Sequence, residues 1–563
     1  MEMFQFDNFK NKLQTCKRIL AKISETLPSL YGVLLICIYV TYSYVKYASD
    51  VPSKHTAFCT CLDEYCIYIF LYLLSTAYLA YILIYAKKNM IKQQEHEQTM
   101  IVPVDETNSR FAVRTGIIVF GIGTLAYTSL EIIHWILRYT AGMTKEEEEL
   151  PFFVQFLLDD TIGFIFVLLQ TSVIVKYHGL KIKDHAIFHR FGCMHVLSTN
   201  VILWVKTVII ESALAIDRLE ESSTFELFCS KYDFALKKPV NSYLYNGLVY
   251  TYSFVIEFSV IGAIVMLIIF LNIESNTNNG DPPARPNLKG NEIQHMKQSV
   301  ANIDCSNSLK GMMWGASNLF VAILSLILFC LIRYEVISPS QAWICENLTS
   351  LAFNSTGIFG CIFGIMKIQI LKDEPRVRNL NTKRSSFDAD TALLRFSACF
   401  LIIYAVFTCL NGCLLCFDES SVESGHGPLQ IALGVIEIVQ VTLQLQFLTE
   451  LKHKVLPVEM REIMPGRQHV IFLFFLNFSQ WIILTFETQK VIGTSTELGL
   501  YGLQGWIIIR RLTIPLAIFY RLHSALISVE LWQEVYNRNK DEQGDDRSNT
   551  HGVQEVLALD DES

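Results

Sequence analysis

Charged residues are scarce in this sequence. Only 18% of its 563 residues are Asp, Glu, Lys or Arg, whereas a soluble globular chain carries about 25%. Proline (14) and glycine (28) are also few, so the chain is neither collagenous nor of the composition typical of disorder. The formal net charge of −8 provides no extended basic face, which excludes a nucleic-acid partner.

Several transport motifs are missing as well. The chain has no Gly-x-x-x-x-Gly-Lys-Ser/Thr phosphate loop, which excludes ATP-driven transport by this sequence. It has neither a Thr-Val-Gly-Tyr-Gly filter nor a helix with arginine at every third position, so it is not a voltage-gated potassium-type channel. We expect no enzymatic activity, no cofactor and no bound metal.

Hydrophobic residues are abundant, at 51% of the chain, and the mean hydropathy is +0.33. A bilayer core about 30 Å thick is crossed by about 20 apolar residues in a helix. The sequence therefore predicts an all-α polytopic membrane protein with twelve transmembrane helices. The predicted spans are 28–47, 65–87, 112–138, 154–177, 188–213, 245–272, 308–334, 343–370, 392–414, 427–451, 467–487 and 501–527.

The loops divide the chain and orient it. Lys and Arg concentrate in the N-terminus, in alternate loops and in the C-terminal tail, which predicts that both termini are cytoplasmic. We expect a cytoplasmic N-terminus over 1–27, a six-helix half over 28–272, a polar linker over 273–307, a second half over 308–532 and an acidic tail over 533–563. Six helices per half give both halves the same orientation, as in parallel-repeat transporters.

The two halves share polar residues in the same order. In the fourth span Gln170 begins Gln-Thr-Ser-Val-Ile, and in the tenth Gln440 begins Gln-Val-Thr-Leu-Gln. In the fifth and eleventh spans Asn200 and Asn477 are each followed by Trp four residues later and by Thr seven or eight residues later. These matches on corresponding helices indicate an internal repeat.

Polar side chains also form stripes along single helix faces, because they recur at helical spacing. Such groups are either interhelical hydrogen bonds, worth about 0.6 kcal/mol each, or the lining of polar vestibules, and their clustering in two matched sets favours vestibules. Trp204 and Trp481 are better explained by packing. The stripes are Asn200, Trp204, Thr207 and Glu211; Glu437, Gln440 and Gln444; Asn477, Trp481 and Thr485; and Thr513, Tyr520, His523 and Ser524.

Glu257 lies midway along the sixth span. A charged group at the bilayer centre costs at least about 2.5 kcal/mol, so it faces protein partners or water and is a functional candidate. His523 is a second ionisable candidate, near the cytoplasmic end of the twelfth span. Four cysteines in outward loops, Cys59, Cys61, Cys66 and Cys229, are candidates for a disulfide, and a Cys-x-Cys metal site is less favoured because no further ligands complete it.

Four segments resemble signatures of the otopetrins, a family of proton-selective channels. The resemblance spans most of the membrane portion and is strongest in the twelfth helix. The segments are Phe120-Gly-Ile-Gly-Thr-Leu-Ala-Tyr127; Arg190-Phe-Gly-Cys-Met-His-Val-Leu-Ser-Thr-Asn200 with Trp204; Asp304-Cys305 with Lys310-Gly311; and Trp506-Ile-Ile with Pro515-Leu-Ala-Ile-Phe-Tyr-Arg-Leu-His-Ser524, Glu530 and Trp532.

The resemblance implies two barrel-like six-helix halves, a homodimer, and membrane lipids, including a sterol, as further partners. It also implies a proton path in each half and a cluster between the halves. Phe258 stands where the family has tyrosine, which puts conduction through the first half in doubt because a hydroxyl is lost. The implied residues are Gln170, Asn200 and Phe258 in the first half; Gln440, Asn477 and Tyr520 in the second; and Asn200, Glu257 and His523 between them.

The sequence therefore predicts a multi-pass plasma-membrane channel that conducts protons inward when the outside is acidified. His134 and Glu211 are candidate pH sensors, and the run Glu146 to Glu149 is better explained as a solvated loop. Two other functions stay open. A proton-coupled secondary transporter of a small polar substrate would use Glu257 for coupling, and a scaffold or lipid-organising protein would carry no current.

Overall fold

The computed structural model consists of long helices. It describes residues 26–43, 66–85, 111–140, 150–177, 185–219, 242–271, 273, 308–333, 339–373, 389–417, 427–460, 462–486 and 495–537. The helices are α1 (Thr26–Ser43) and α2 (Cys66–Tyr85), then α3 (Phe111–Thr140), α4 (Leu150–Tyr177), α5 (Ala186–Leu219), α6 (Ser242–Leu271), α7 (Leu309–Arg333), α8 (Pro339–Ile368), α9 (Ala389–Phe417), α10 (Gly427–Leu451), α11 (Arg467–Phe486), α12 (Ser495–Tyr501) and α13 (Leu503–Asn537).

Twelve of these helices, all except the short α12, are long and apolar enough to cross a membrane. Helices suit the bilayer because they satisfy their backbone hydrogen bonds within one segment. The prediction of an all-α polytopic membrane protein with twelve spans is confirmed. The described residues also include one small two-stranded sheet, in which β1 (Lys372–Asp373) pairs antiparallel with β2 (Lys454–Val455).

The last helix continues well beyond the predicted span, which ended at residue 527. It runs to Asn537 because its final turns are held by packing although their hydropathy is low. Trp532 and Tyr536 are buried, the Tyr536 hydroxyl donates a hydrogen bond of 2.7 Å to the carbonyl of Pro465, and the Arg467 guanidinium lies 4.9 Å from the Trp532 ring centroid.

The chain divides into two compact units. The first unit comprises residues 1–103, 113–297 and 503–511, and the second comprises residues 104–112, 298–502 and 512–563. The long α13 therefore contributes its first turns to the first unit and the rest of its length to the second.

In the first unit α5 is the central helix, and short polar contacts hold its neighbours against it. Ser198 donates to the carbonyl of Gly32 on α1 at 3.1 Å, and the hydroxyls of Ser75 on α2 and Thr199 are 2.9 Å apart. Along its length α5 also packs against α6. Small hydroxyl residues permit such close approach between membrane helices, and hydrogen bonds then join them.

In the second unit α9 packs closely against α10, and α11 packs against α7 and α8. Gly434 permits the first of these approaches. A Cβ atom at this position would lie 2.6 Å from the carbonyl oxygen of Ala405 and 2.4 Å from the Sγ of Cys409, so no larger residue fits without separating α9 from α10.

The outer cysteines are only partly covered by the structure. Cys66 is an exposed free thiol at the start of α2. Cys59, Cys61 and Cys229 lie outside the described residues, so the disulfide stays a prediction for them.

We expect Gly434→Ala to destabilise the protein, because the added methyl group meets a backbone carbonyl that cannot rotate away. Overpacking of this kind costs about 1–3 kcal/mol. The measurement is the melting temperature of the purified protein in detergent. Gly499→Ala in α12 is the matched control, since a Cβ atom there meets nothing within 4 Å. A melting temperature that falls equally for both variants would contradict the expectation.

Candidate functional site

A closed pair of amides lies at the centre of the first unit. Gln170 on α4 donates from Nε2 to the Oδ1 of Asn200 on α5 at 2.9 Å, and Asn200 donates back from Nδ2 to the Oε1 of Gln170 at 3.0 Å. Both side chains are fully buried. The Asn200 Nδ2 also donates to the carbonyl of Val196, one turn earlier on its own helix, at 2.8 Å. The structure thus brings together two of the three residues predicted for this path.

The second unit contains the same arrangement on α10 and α11. Gln444 donates to the Oδ1 of Asn477 at 2.9 Å, and Asn477 donates to the Oε1 of Gln444 at 3.1 Å. Here too the asparagine Nδ2 reaches the carbonyl one turn earlier, that of Leu473, at 2.8 Å. Every hydrogen bond of the first pair therefore has a counterpart in the second, which supports the internal repeat at atomic detail.

The residue that pairs with Asn477 differs from the one chosen by the sequence match. That match aligned Gln440 with Gln170, whereas the structure places Gln444 in the equivalent position. Gln440 and Gln444 are four residues apart and share one helix face, so helical spacing does not distinguish them. Gln440 instead donates to the Oε1 of Gln444 at 2.8 Å and extends the polar layer by one turn.

The two units differ at the aromatic residue predicted for each path. The hydroxyl of Tyr520 on α13 accepts a hydrogen bond from Gln444 Nε2 at 3.1 Å and donates to the carbonyl of Val441 at 3.4 Å. Phe258 on α6 is equally buried but has no hydroxyl. In the second unit both hydrogens of the glutamine amide are therefore used, whereas Phe258 offers the Gln170 amide no acceptor.

Gly262 lets α6 approach the first amide pair. A Cβ atom at this position would lie 1.9 Å from Gln170 Nε2 and 2.6 Å from Asn200 Oδ1. The backbone of α6 thus covers the pair directly, one helical turn beyond Phe258. Sequence analysis did not single out Gly262, because one glycine in an apolar helix gives no sign of what it packs against.

A buried arginine adjoins the amide layer of the second unit. Arg521 donates to the Oε1 of Gln440 at 2.7 Å, forms an ion pair with Glu437 at 3.3 Å and reaches the Oδ1 of Asn354 at 3.5 Å. Asn354 also accepts a hydrogen bond of 2.8 Å from Gln480. Sequence analysis assigned no role to Arg521 or Asn354, although an arginine inside a membrane span was itself a signal.

Together these contacts form a continuous polar chain across the second unit, from the Arg521 guanidinium through Gln440 and Gln444 to Asn477 and Tyr520. Neutral amides do not exchange protons readily, and most of the amide hydrogens in this chain are already bonded within the protein. The chain is therefore a closed polar layer, which can admit water only when some of these hydrogen bonds open.

The cluster predicted between the halves is distributed over both units. Glu257 is buried on α6, and neither carboxyl oxygen has a hydrogen-bond partner among the described residues. His523, in the second unit, lies 3.2 Å from the carbonyl of Asp390 through Nε2 and stacks on Phe519 with ring centroids 5.1 Å apart. The contact of Asn200, Glu257 and His523 stays a prediction.

The candidate pH sensors have different surroundings. His134 is buried near the end of α3, edge-on to Trp135 with ring centroids 5.8 Å apart. Glu211 belongs to α5, but its side chain lies outside the described part of the structure, as do residues 146–149. A sensing role for any of them stays a prediction. Within the described ranges there is no group of three or more His, Cys, Asp or Glu side chains that could hold a metal ion.

The fold and these two buried amide pairs define a polytopic membrane protein that carries polar layers through the bilayer interior. The sequence model of one family, Otopetrin, matches residues 113–238 and 229–522, which is well over half of the chain. The chain belongs to the otopetrin family.

Individual relatives agree with this assignment. The chain is similar to "Proton channel OtopLc" of Drosophila melanogaster, with 23% identity over 479 residues, which is 76% of this chain and 28% of that protein. It is also similar to "Proton channel OTOP1" of Rattus norvegicus, with 33% identity over 69 residues, 12% of each chain, and to "Proton channel OTOP1" of Danio rerio, with 31% identity over 80 residues, 13% of this chain and 14% of that one. The chain thus matches less than a third of the length of these relatives.

We expect a double-mutant cycle to show direct coupling between Gln444 and Asn477. Replacing either residue by leucine leaves the other amide buried without its partner, whereas replacing both does not. Hydrogen bonds between membrane helices couple by about 0.6–1.7 kcal/mol, so the double variant should be more stable than the sum of the two losses predicts. Thermal unfolding in detergent measures the coupling.

The control cycle pairs Asn477 with Gln446, an exposed residue of α10 that hydrogen-bonds to Glu450 instead. Additive losses are expected there. Additive losses in the Gln444 cycle as well would contradict the reciprocal pair.

Proposed function

We propose that this protein is a proton channel, and not an enzyme, that moves protons into the cell when the outside is acidified. It acts in the plasma membrane with both termini cytoplasmic and assembles as a homodimer, with membrane lipids, including a sterol, as partners. Its family membership and the names of its relatives support proton conduction. The Lys and Arg asymmetry of the loops supports the orientation.

The observation that carries the proposal is the pair of buried amide layers, Gln170 with Asn200 and Gln444 with Asn477. Each layer closes its unit with neutral groups bonded at 2.9–3.1 Å. A metal cation would need several oxygen ligands or its water shell to pass, and two amides bonded to each other provide neither. A proton needs only a short file of waters or a carboxyl group beside the amides.

Glu257 is one carboxyl group of the first unit that can serve such a step. It is buried among apolar residues of α6, with both oxygens unbonded to described residues. Intramembrane carboxyls of this kind are typical of proton pathways. Its carboxylate can accept a proton from a hydronium ion and later release it to a neighbouring water, so that in each transfer one O–H bond forms as another breaks.

The first experiment is whole-cell recording from cells that express the full chain, in sodium-free and potassium-free solutions, while the external pH is lowered. We expect an inward current whose reversal potential follows the proton gradient by about 59 mV per pH unit. Cells without the protein are the control. Proton uptake only after a small polar substrate is added would indicate a coupled transporter, and no current at all, with Glu257→Gln tolerated, would indicate a scaffold.

We expect Phe258→Tyr to increase the acid-evoked current. The added hydroxyl restores to this path a donor and acceptor that water molecules can use. One such hydrogen bond is worth about 0.5–1.5 kcal/mol, which corresponds to a two- to twelvefold change if it acts on the rate-limiting step.

Phe254→Tyr is the matched control, because it adds the same hydroxyl to the same helix, one turn earlier and against Gly123. Current is compared per channel at the cell surface. Equal currents from the two variants would remove Phe258 from the path.

A further inference from the structure

An acidic cavity lies within the first unit, apart from the residues named so far as path residues. Its volume is about 50 Å³, and α2, α3, α4, α5 and α6 all contribute to its wall. The polar side chains that line it include Tyr72, Glu131, Asp159, Asp160, Lys206 and Thr207. Sequence analysis did not select any of the three carboxylates, because two of them lie near the start of a span, where a wet carboxylate needs no explanation.

The cavity extends to within one helical turn of the first amide pair. Val167 in its wall is three residues from Gln170 on α4, and Leu203 is three residues from Asn200 on α5. Asp160 lies ten residues before Gln170, about 15 Å of helix at 1.5 Å per residue. The cavity therefore lies on the side of the amide pair that is nearer to the start of α4. The distribution of Lys and Arg in the loops predicts that this end of α4 faces outward.

The cavity carries three carboxylates and one ammonium group. Lys206 Nζ lies 3.5 Å from the Oδ2 of Asp159 and 3.5 Å from the centroid of the Tyr68 ring, so it is held at the wall by an ion pair and a cation–π contact. Asp159 is 2% exposed, and its other oxygen, Oδ1, has no hydrogen-bond partner among the described residues. A buried carboxylate oxygen in a polar cavity requires water or a proton.

The size and geometry of the cavity favour protons over metal ions. One buried water needs about 10–15 Å³ of such space, so the cavity holds only a few waters. A hydrated cation would have to shed most of its shell, and the carboxylates do not replace it, because no group of three acidic side chains among the described residues converges on a metal position. The Lys206 ammonium adds a fixed repulsion against any cation that stays in the cavity.

A proton does not meet the same barrier. It can leave a hydronium ion for an Asp or Glu oxygen and later pass to the next water, so that one O–H bond breaks as another forms and no other reactant is consumed. The excess of negative charge also raises the local proton concentration.

We propose that this cavity is the site where protons enter the path of the first unit, and that Lys206 is the residue that keeps sodium and potassium from following them. The inference rests on the proposed function as a proton channel. It assigns to Lys206 a role in selectivity, with no part in carrying protons, and it assigns proton loading to the carboxylates around it.

The test is the selectivity of Lys206→Gln, which removes the charge and keeps most of the side-chain length. At constant external pH, a large organic cation is replaced by sodium and the shift of the reversal potential is measured in the full chain. We expect sodium permeability relative to protons to rise at least tenfold in Lys206→Gln and to stay at the wild-type value in Lys206→Arg. Lys176→Gln, which removes an exposed lysine of α4 outside the cavity, is the charge-matched control.

A second variant covers the case in which Lys206→Gln does not reach the cell surface, since an unpaired buried Asp159 is costly. Asp159→Asn with Lys206→Gln neutralises both members of the ion pair and leaves two side chains that can hydrogen-bond. This double variant should show the same gain in sodium permeability and a smaller proton current, because one loading carboxylate is gone.

The outcomes separate the two proposals. If the wild-type protein carries no acid-evoked current, the proposed channel function fails. If the wild-type protein conducts protons but neither Lys206→Gln nor the double variant gains sodium permeability, the selectivity role of Lys206 is wrong. If the double variant leaves the proton current unchanged, proton loading in the cavity is wrong.

Discussion

Hydrocarbon offers no hydrogen-bond partners, so every polar side chain that enters these spans must find a partner in the protein or in trapped water. This constraint accounts for the closed amide pairs, in which two neutral groups on adjacent helices satisfy each other. It also accounts for the series of hydrogen-bonded side chains that starts at Arg521. The guanidinium of this residue has several donors and contacts a carboxylate and two amides. The same constraint makes the exceptions informative, because Glu257 and one oxygen of Asp159 remain unpaired among the described residues.

The two units satisfy this constraint differently although they share the amide pair. The second unit surrounds its pair with Tyr520 and a buried positive charge, Arg521. The first unit has Phe258 as the corresponding aromatic residue, and a cavity with three carboxylates and one lysine whose wall comes within one helical turn of the pair. The two units thus share the hydrogen-bonded amide pair but differ in the charged groups around it. A proton therefore meets a different electrostatic environment in each unit.

Much of the architecture could be predicted from hydrophobic run lengths alone, because twenty apolar residues have few alternatives to a membrane helix. Asn200 and Asn477 could be found by their matching spacing to tryptophan. The partner of Asn477 could not be chosen, since Gln440 and Gln444 share one helix face and only the approach of α11 selects between them. The end of α13 was also missed, because hydropathy does not register the contacts of Trp532 and Tyr536. Arg521 was visible as a charge in a span, but its partners lie on two other helices, α8 and α10, and are far from it in the chain.

The hydrogen bond from each asparagine Nδ2 to the carbonyl one turn earlier has a consequence for the amide pairs. Two amides bonded to each other alone could both rotate by 180° and form the same ring in the opposite sense. Asn200 and Asn477 cannot, because rotation would point an amide oxygen at the carbonyl of Val196 or Leu473. Each ring therefore has a single polarity. In a file of waters, each passing proton reverses the orientation of the molecules, and they must rotate back before the next proton can pass. The amides of the two rings keep their orientation, so they form a rigid frame beside which the waters can line up and rotate back.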